Sequence, residues 1–327
     1  MTTASTTAPA RPLAGRVALV AGATRGAGRG IARMLGEAGA TVYGTGRGTR
    51  ETPSEGPHAG RPETIEETAA LVHAAGGTGI AVRVDHADET AVRALVRRIE
   101  REHGRLDVLV NVLGGPEAKG RMRPFWKLPL DEGRALVDAW IWPHVVTCHA
   151  VLPLMVARKS GLVVEIIEGE TLACNGQAYF DLAVTALKRL AYLVAEEGAA
   201  HGVTALALAP GFMRTEQILA HFGATESTWE AVAASSREAQ GYGFAGSETP
   251  CFVGRAVAAL AADPNVARRS GGVYGSWELA EAYGFDDVDG RRPSWGRYFA
   301  EHFPQFAGAV PASGRRWVVE RVDGARA

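Results

Sequence analysis

Val17-Ala18-Leu19-Val20-Ala21-Gly22-Ala23-Thr24-Arg25-Gly26-Ala27-Gly28-Arg29-Gly30-Ile31 is the stretch that decides the fold. A short apolar run enters, a glycine-rich turn follows and an amphipathic stretch leaves, which is the order strand, phosphate loop, helix. The glycines fall as Gly22-x3-Gly26-x-Gly28. Gly22 permits the tight turn, Gly26 lets the backbone approach a pyrophosphate, and Gly28 lets the new helix pack closely on the strand. The helix N-terminus then offers unpaired N–H groups and a partial positive charge to phosphates. Gly22, Thr24, Arg25, Gly26 and Gly28 are the candidate cofactor residues of this loop.

Outward from the loop, strand and helix alternate. Helix runs on to about Ala38, and Ala40–Thr45 reads as a second buried strand. The polar Pro/Gly-rich segment 46–62 reads as an exposed excursion. Helix over 63–75, strand over 80–84, and a helix capped by Asp88 and running to His103 come next. Strand over 106–111, an irregular stretch over 114–130, and a long helix over 131–158 kinked by Pro143 follow. The core then continues with strand 162–167, helix 178–201 and strand 203–209, ending at Pro210-Gly211. Helices over 227–237 and 249–262 and a short strand over 272–276 complete it. Repeated strand–helix units with right-handed crossovers give an α/β fold, a three-layer, Rossmann-type doubly wound parallel sheet. Ligands of such sheets sit beyond the carboxyl ends of the strands. The reading is one dinucleotide-binding domain over 15–276, a disordered tail over 1–14 and a C-terminal extension over 277–327. That extension, with Trp277, Tyr283, Phe285 and Trp295, is too aromatic for a loose tail and is expected to pack back over the site or reach a neighbouring subunit.

The bulk properties narrow the partners. The chain has 327 residues and a formal net charge of −1, with acids and bases mixed, which argues against nucleic acid or an anionic membrane. Cys148, Cys174 and Cys251 share no metal-ligand spacing, so the expectation is reduced thiols, no metal and a cytoplasmic protein. Uninterrupted apolar runs stay short of the roughly 18–20 residues of a membrane span.

These motifs resemble the short-chain dehydrogenase/reductase family. The glycine pattern is similar to that family's TGxxxGxG, with Ala21 where Thr is usual. Leu109-Val110-Asn111-Val112-Leu113-Gly114 resembles its NNAG element, with the first Asn and the Gly kept. Pro210-Gly211-Phe212-Met213-Arg214-Thr215 resembles its PG-x3-T segment. The resemblance covers roughly residues 15–275. It implies a nicotinamide cofactor, a small-molecule substrate, homodimers or homotetramers built through the two long helices, and a mobile lid over 212–222. It also implies that Asn111, Gly114, Pro210 and Gly211 line the cofactor and that Asp85 and His86 end strand three beside the adenine. NAD-specific sites carry an acid at the end of strand two. Here that end reads Gly44-Thr45-Gly46-Arg47, and Arg47 with Arg25 can flank a 2′-phosphate, so the expected cofactor is NADP(H).

The family's Asn-Ser-Tyr-Lys tetrad is not kept. Its Asn position falls on Trp140 and its Ser position on Glu168. The Tyr position falls on Tyr179 with Ala183 as the Lys position, or on Phe180 with Val184; in both registers the lysine is missing. Lys188 lies one helical turn beyond, ~6 Å along the axis. An unassisted tyrosine has a pKa near 10, so about one in a thousand is ionised at pH 7, and it serves reduction better than oxidation. Glu168, at a strand end beside the expected reaction centre, is the candidate acid or base, with Tyr179 and Asp181 beside it and Glu170 near in sequence; the alternatives are a Glu168 charge that faces solvent or pairs with an arginine, and a Tyr179 ring that packs the helix start. Asp181 either joins them or faces solvent and stabilises its helix N-terminus. Phe125, Trp126, Trp140 and Trp142 either shape an aromatic substrate pocket or pack the core or a dimer interface. His144 and His149 receive no role. Three functions follow. The first is an NADP(H)-dependent reductase of a bulky carbonyl, imine or activated double bond that uses Glu168 or Tyr179 as acid. The second is a redox-neutral cyclase, dehydratase or isomerase on the same scaffold. The third is a non-catalytic binding protein.

Overall fold

The strands are β1 (Val17–Ala21), β2 (Thr41–Gly46), β3 (Thr78–Arg83), β4 (Val108–Asn111), β5 (Gly161–Ile166), β6 (Val203–Ala209) and β7 (Val273–Gly275). They form one sheet in the order β3-β2-β1-β4-β5-β6-β7. Every pairing is parallel, with Ala21 opposite both Thr45 and Asn111, and Asn111 opposite Glu165. The order reverses at β1, so the crevice between β1 and β4 is where this topology places ligands. The computed structural model describes residues 11–54, 58–114, 124–169 and 177–303. Residues 1–10 of the expected tail, Glu170, Cys174 and the segment 304–327 lie outside the described residues. Residues 11–14 do not continue a disordered tail: Leu13 is buried in the core and its N–H donates to the Ala38 carbonyl at 2.9 Å.

The helices are α1 (Gly26–Glu37), α2 (Ile65–Ala74), α3 (Glu89–His103), α4 (Leu130–Trp140), α5 (Trp142–Arg158), α6 (Ala178–Gly198), α7 (Glu216–His221), α8 (Trp229–Ser235), α9 (Arg237–Gly241), α10 (Pro250–Ala262), α11 (Ser276–Tyr283) and α12 (Trp295–His302). One face of the sheet buries Ile31 and Leu35 of α1, Val72 of α2, and Val253, Val257 and Leu260 of α10. The other buries Val92, Leu95 and Ile99 of α3, Val151 and Met155 of α5, and Val194 of α6. Strands covered on both faces need unbroken apolar sequence, as the five buried residues of β1 show.

Two expectations change. Residues 131–158 form two helices rather than one kinked helix. Ile141 lies between them, and Pro143 stands in the first turn of α5, where its missing N–H would have had no partner anyway. Taken together, Leu130–Arg158 is long and apolar enough to cross a membrane by length and composition, although no uninterrupted apolar run is that long. In the fold, Val146, Val151 and Met155 of this segment are buried against the sheet. The second change concerns the boundary at 276. Trp277, Leu279 and Ala280 are buried in the main body, and Trp277 packs with Phe252, Phe285 and Trp295. The Asp287 carboxylate accepts hydrogen bonds from the backbone N–H (2.8 Å) and hydroxyl (2.5 Å) of Thr249, the N-cap of α10. Residues 277–303 therefore belong to the core, because a helix cap and an aromatic cluster both depend on them.

Candidate active site

The loop after β1 is built by close approach. Gly22 has φ +95°, and a Cβ there would lie 2.3 Å from the Val112 carbonyl oxygen. A Cβ on Gly28 would lie 2.1 Å from the Gly22 oxygen, so α1 rests directly on the turn. The first turn of α1 contains no acidic residue, and Arg25 at its N-cap makes no side-chain cap. The carboxylate at this terminus comes from elsewhere: Gly26 N–H donates to Glu216 Oε2 at 2.9 Å, and Arg29 Nε lies 3.8 Å from Glu216 Oε1. Thr24 is buried.

At the ends of β2 and β3, Arg47 is exposed and its carbonyl accepts from Arg83 Nε at 3.3 Å. Arg25 is turned toward Ser54 (2.6 Å) and Glu63 (3.4 Å), and burial pushes its basicity down. Burial pushes the Glu63 carboxyl up, but hydrogen bonds from Arg61 and the charge of Arg25 hold it net below its usual value. Asp85 is exposed and accepts from Ala87 N–H at 3.0 Å, a turn contact. His86 does not face outward. Its ring is buried, with Nε2 2.7 Å from the Thr45 hydroxyl and Nδ1 2.8 Å from the Thr147 hydroxyl. Burial first, then the neighbouring His144, lowers its pKa to about 4. It is a neutral core residue at neutral pH, and its ring does not face an adenine site.

The reaction end lies beyond β4 and β5. Gly114 and Glu168 follow the neighbouring strands β4 and β5, each three residues past the paired positions Asn111 and Glu165. A Cβ on Gly114 would lie 3.6 Å from the Trp140 ring, and Trp140 meets Phe180 edge-on with centroids 5.1 Å apart. Glu168 is exposed at this edge. Tyr179 points elsewhere. Its ring packs on Gly133 and, edge-on at 5.8 Å, on Phe125, with its hydroxyl buried and without a hydrogen-bond partner among the described residues. Phe180, not Tyr179, therefore stands beside Trp140. Asp181 is half-buried in the first turn of α6. Ala183, Val184 and Lys188 are all buried along α6. Trp126, Phe125 and Trp142 are exposed, so of the expected aromatic pocket only Trp140 lines this edge.

Beneath the edge lies a polar network that the sequence reading did not assign. Glu165, in mid-strand, accepts from Asn111 Nδ2 (2.7 Å) and Cys148 Sγ (3.2 Å), and it pairs with His144 Nδ1 (2.5 Å). His144 Nε2 reaches the Leu113 carbonyl at 2.8 Å. An imidazolium facing a carboxylate, or an imidazole facing a protonated Glu165, places the same two protons here. One lies between Nδ1 and Oε2, and one lies on Nε2 toward Leu113. The pair thereby holds the peptide just before Gly114. Asn111, expected to line the cofactor, is fully buried and turns its amide nitrogen into this network. The available signal was an acid in the otherwise apolar run Leu162-Val163-Val164-Glu165-Ile166-Ile167. Cys148 and Cys251 are free thiols, and burial pushes both up. Among the described residues there is no His/Cys/Asp/Glu group that could hold a metal.

Pro210-Gly211 closes the edge at β6. A Cβ on Gly211 would lie 2.6 Å from Trp295 Cβ and 2.7 Å from Glu248 Oε2. Glu248 is fully buried and accepts from the Ser276 hydroxyl at 2.7 Å. Burial pushes its pKa to about 8, against the opposing hydrogen bonds from Ser276 and Gly211. Arg214, also buried, bonds Asp289 (2.8 Å) and the Ser247 carbonyl (2.9 Å) and lies over the Trp229 ring. The C-terminal residues thus hold the segment leading into α7.

A glycine cradle at the switch point of a doubly wound parallel sheet, with a polar reaction edge beyond β4 and β5, defines a dinucleotide-dependent oxidoreductase scaffold. The chain belongs to the short-chain dehydrogenase/reductase family: the family described as short chain dehydrogenase matches residues 16–222. It is 35% identical over 286 residues to human dehydrogenase/reductase SDR family member 1, covering 86% of each chain. The mouse protein of the same name is 34% identical over 284 residues. Among solved structures, a short-chain dehydrogenase from Mycobacterium thermoresistibile superposes with a TM-score of 0.68 at 19% identity, over 86% of this chain and 92% of that one. A metagenomic short-chain oxidoreductase in complex with NADP superposes with a TM-score of 0.58 at 25% identity, over 78% and 93%. The cradle fits such a cofactor, because Gly22 and Gly28 leave no room for side chains where the backbone must close around a pyrophosphate.

Proposed function

We propose that the protein is an NADP(H)-dependent reductase of a bulky, aromatic carbonyl, imine or activated double bond, with Glu168 as the proton donor. The observation that carries this reading is Trp140, half-buried at Gly114 and backed by the buried Phe180, at the end of β4, the strand paired with the one that leads to Glu168. When bound, the nicotinamide supplies a hydride; the remaining steps belong to the chain. Trp140, backed by Phe180, offers an apolar face that orients a flat substrate and excludes water. Glu168 delivers the proton to the developing oxyanion or amide anion. The His144–Glu165 pair fixes the Leu113–Gly114 peptide that borders the same space. Arg47, with Arg83 beside it, supplies guanidinium charge for a 2′-phosphate, and the NADP-bound structural relative supports that choice. With Tyr179 facing α4 and alanine or valine at the lysine position, the site favours reduction over alcohol oxidation.

The test joins binding to turnover. NADPH is expected to bind more tightly than NADH by calorimetry. Absorbance at 340 nm should fall with aromatic ketones, quinones or enones as substrates. Glu168→Gln should lower kcat by about 10²-fold or more while leaving NADPH affinity unchanged. Tighter NADH binding would remove the NADP preference. An unaffected Glu168→Gln would clear that carboxyl of proton transfer. Turnover needing no nicotinamide would select the redox-neutral reading.

A further inference from the structure

Glu216 places its carboxylate at the N-terminus of α1, the end of the helix that receives phosphate in this topology. It is the first residue of α7, a short helix capped by Thr215, whose hydroxyl accepts from Ile218 N–H at 3.2 Å. Its carboxylate reaches across to α1, takes the Gly26 N–H at 2.9 Å, and lies 3.8 Å from Arg29. The Thr215 methyl sits close to Gly26 as well. Two features show that this contact is specific. First, α1 lacks any acid in its own first turn, so its positive terminus is satisfied from outside by this residue. Second, Gly26 belongs to the glycine turn that receives pyrophosphate in this fold. A carboxylate and a pyrophosphate oxygen cannot accept the same N–H, and their like charges repel at that distance.

We propose that Glu216 is a resident anion that competes with the dinucleotide for the α1 terminus, so that cofactor entry expels it and unlatches the Thr215–His221 lid. The proposal rests on the cofactor reading above. It makes Glu216 a residue that weakens cofactor affinity. Arg214, held by Asp289 and Ser247, keeps the root of the lid in place, so the motion is confined to α7 and the turn after it.

The experiment measures dissociation constants of NADPH, NADH and inorganic pyrophosphate by calorimetry for wild type, Glu216→Gln and Glu216→Ala. Hydrogen exchange over 212–222 is followed with and without NADPH. The expected result is about tenfold tighter NADPH and pyrophosphate binding in Glu216→Ala, and a smaller gain in Glu216→Gln, which keeps an acceptor for Gly26 but loses the charge. Exchange of the lid amides should rise when NADPH binds to wild type and be high already in Glu216→Ala. Equal or weaker NADPH binding by both variants, with wild type still binding, overturns the competition and leaves the cofactor reading standing. Failure of all three proteins to bind either dinucleotide overturns both. A thermal melt of each variant separates loss of fold from gain of affinity.

Discussion

Two buried residues give opposite pH responses. Glu248 keeps its proton to about pH 8, whereas an unfolded glutamate releases it near 4.5. Between these values the unfolded chain binds fewer protons, so stability falls as pH rises from about 4.5 to 8. Glu248→Gln keeps an acceptor for Ser276 and removes this slope, so its Tm should exceed wild type more at pH 8 than at pH 5. His86 behaves in reverse. Its folded pKa of about 4 lies below the unfolded value of 6.5, so stability is lost as pH falls through that window. His86→Gln should flatten the acid limb of the Tm profile between pH 6.5 and 4. Gly28→Ala tests the cradle itself. With a Cβ 2.1 Å from the Gly22 oxygen, the turn must open, costing about 1–3 kcal/mol in urea melts and abolishing dinucleotide binding.

At the scale of elements, the helix caps separate local from long-range support. Thr64 caps α2 with a reciprocal capping box to Glu67, and Thr64→Ala should cost about 1 kcal/mol. The cap of α10 is doubled, since Thr249 bonds Cys251 N–H and is itself held by Asp287, 38 positions away in sequence. Asp287→Ala leaves two buried donors unsatisfied and should cost on the order of 2–3 kcal/mol, more than the local cap, by chemical denaturation. The cap at Thr64 can be read from the pattern Thr-x-x-Glu, and the one at Asp88 from an acid before an amphipathic run. That Asp287 completes the cap of α10 cannot be read, because nothing within a few residues of Thr249 records it. The division of residues 130–158 into α4 and α5 shows the same limit: the proline was visible, but whether it kinks a helix or starts one depends on packing.

For the molecule as a whole, α4 and α6 carry apolar side chains outward. Leu130, Val137, Leu182 and Leu193 are all exposed in the single chain. The expected covering is a second copy of the chain, and light scattering after gel filtration should show a dimer or tetramer. Leu182→Lys should shift it toward monomer without changing the far-ultraviolet circular dichroism.

Strand, turn and helix order, the parallel sheet and the glycine cradle were set by the sequence, because apolar periodicity and steric room at glycine are local properties. That Ala183 and Val184, the two positions the resemblance aligns with the tetrad lysine, are both apolar was equally legible, since residue types at a fixed spacing need no coordinates. Glu168 could be singled out from its place at a strand end, but the partners of the buried and bridging carboxylates were decided only by tertiary structure. Glu165 meets His144, Glu216 meets Gly26, and Glu248 meets Ser276 across 21, 190 and 28 positions. The turn of Tyr179 away from Phe180's aromatic partner was likewise settled by packing on Gly133. A charge acquires its role from burial and from the donor that faces it, and both are consequences of chain segments meeting in space.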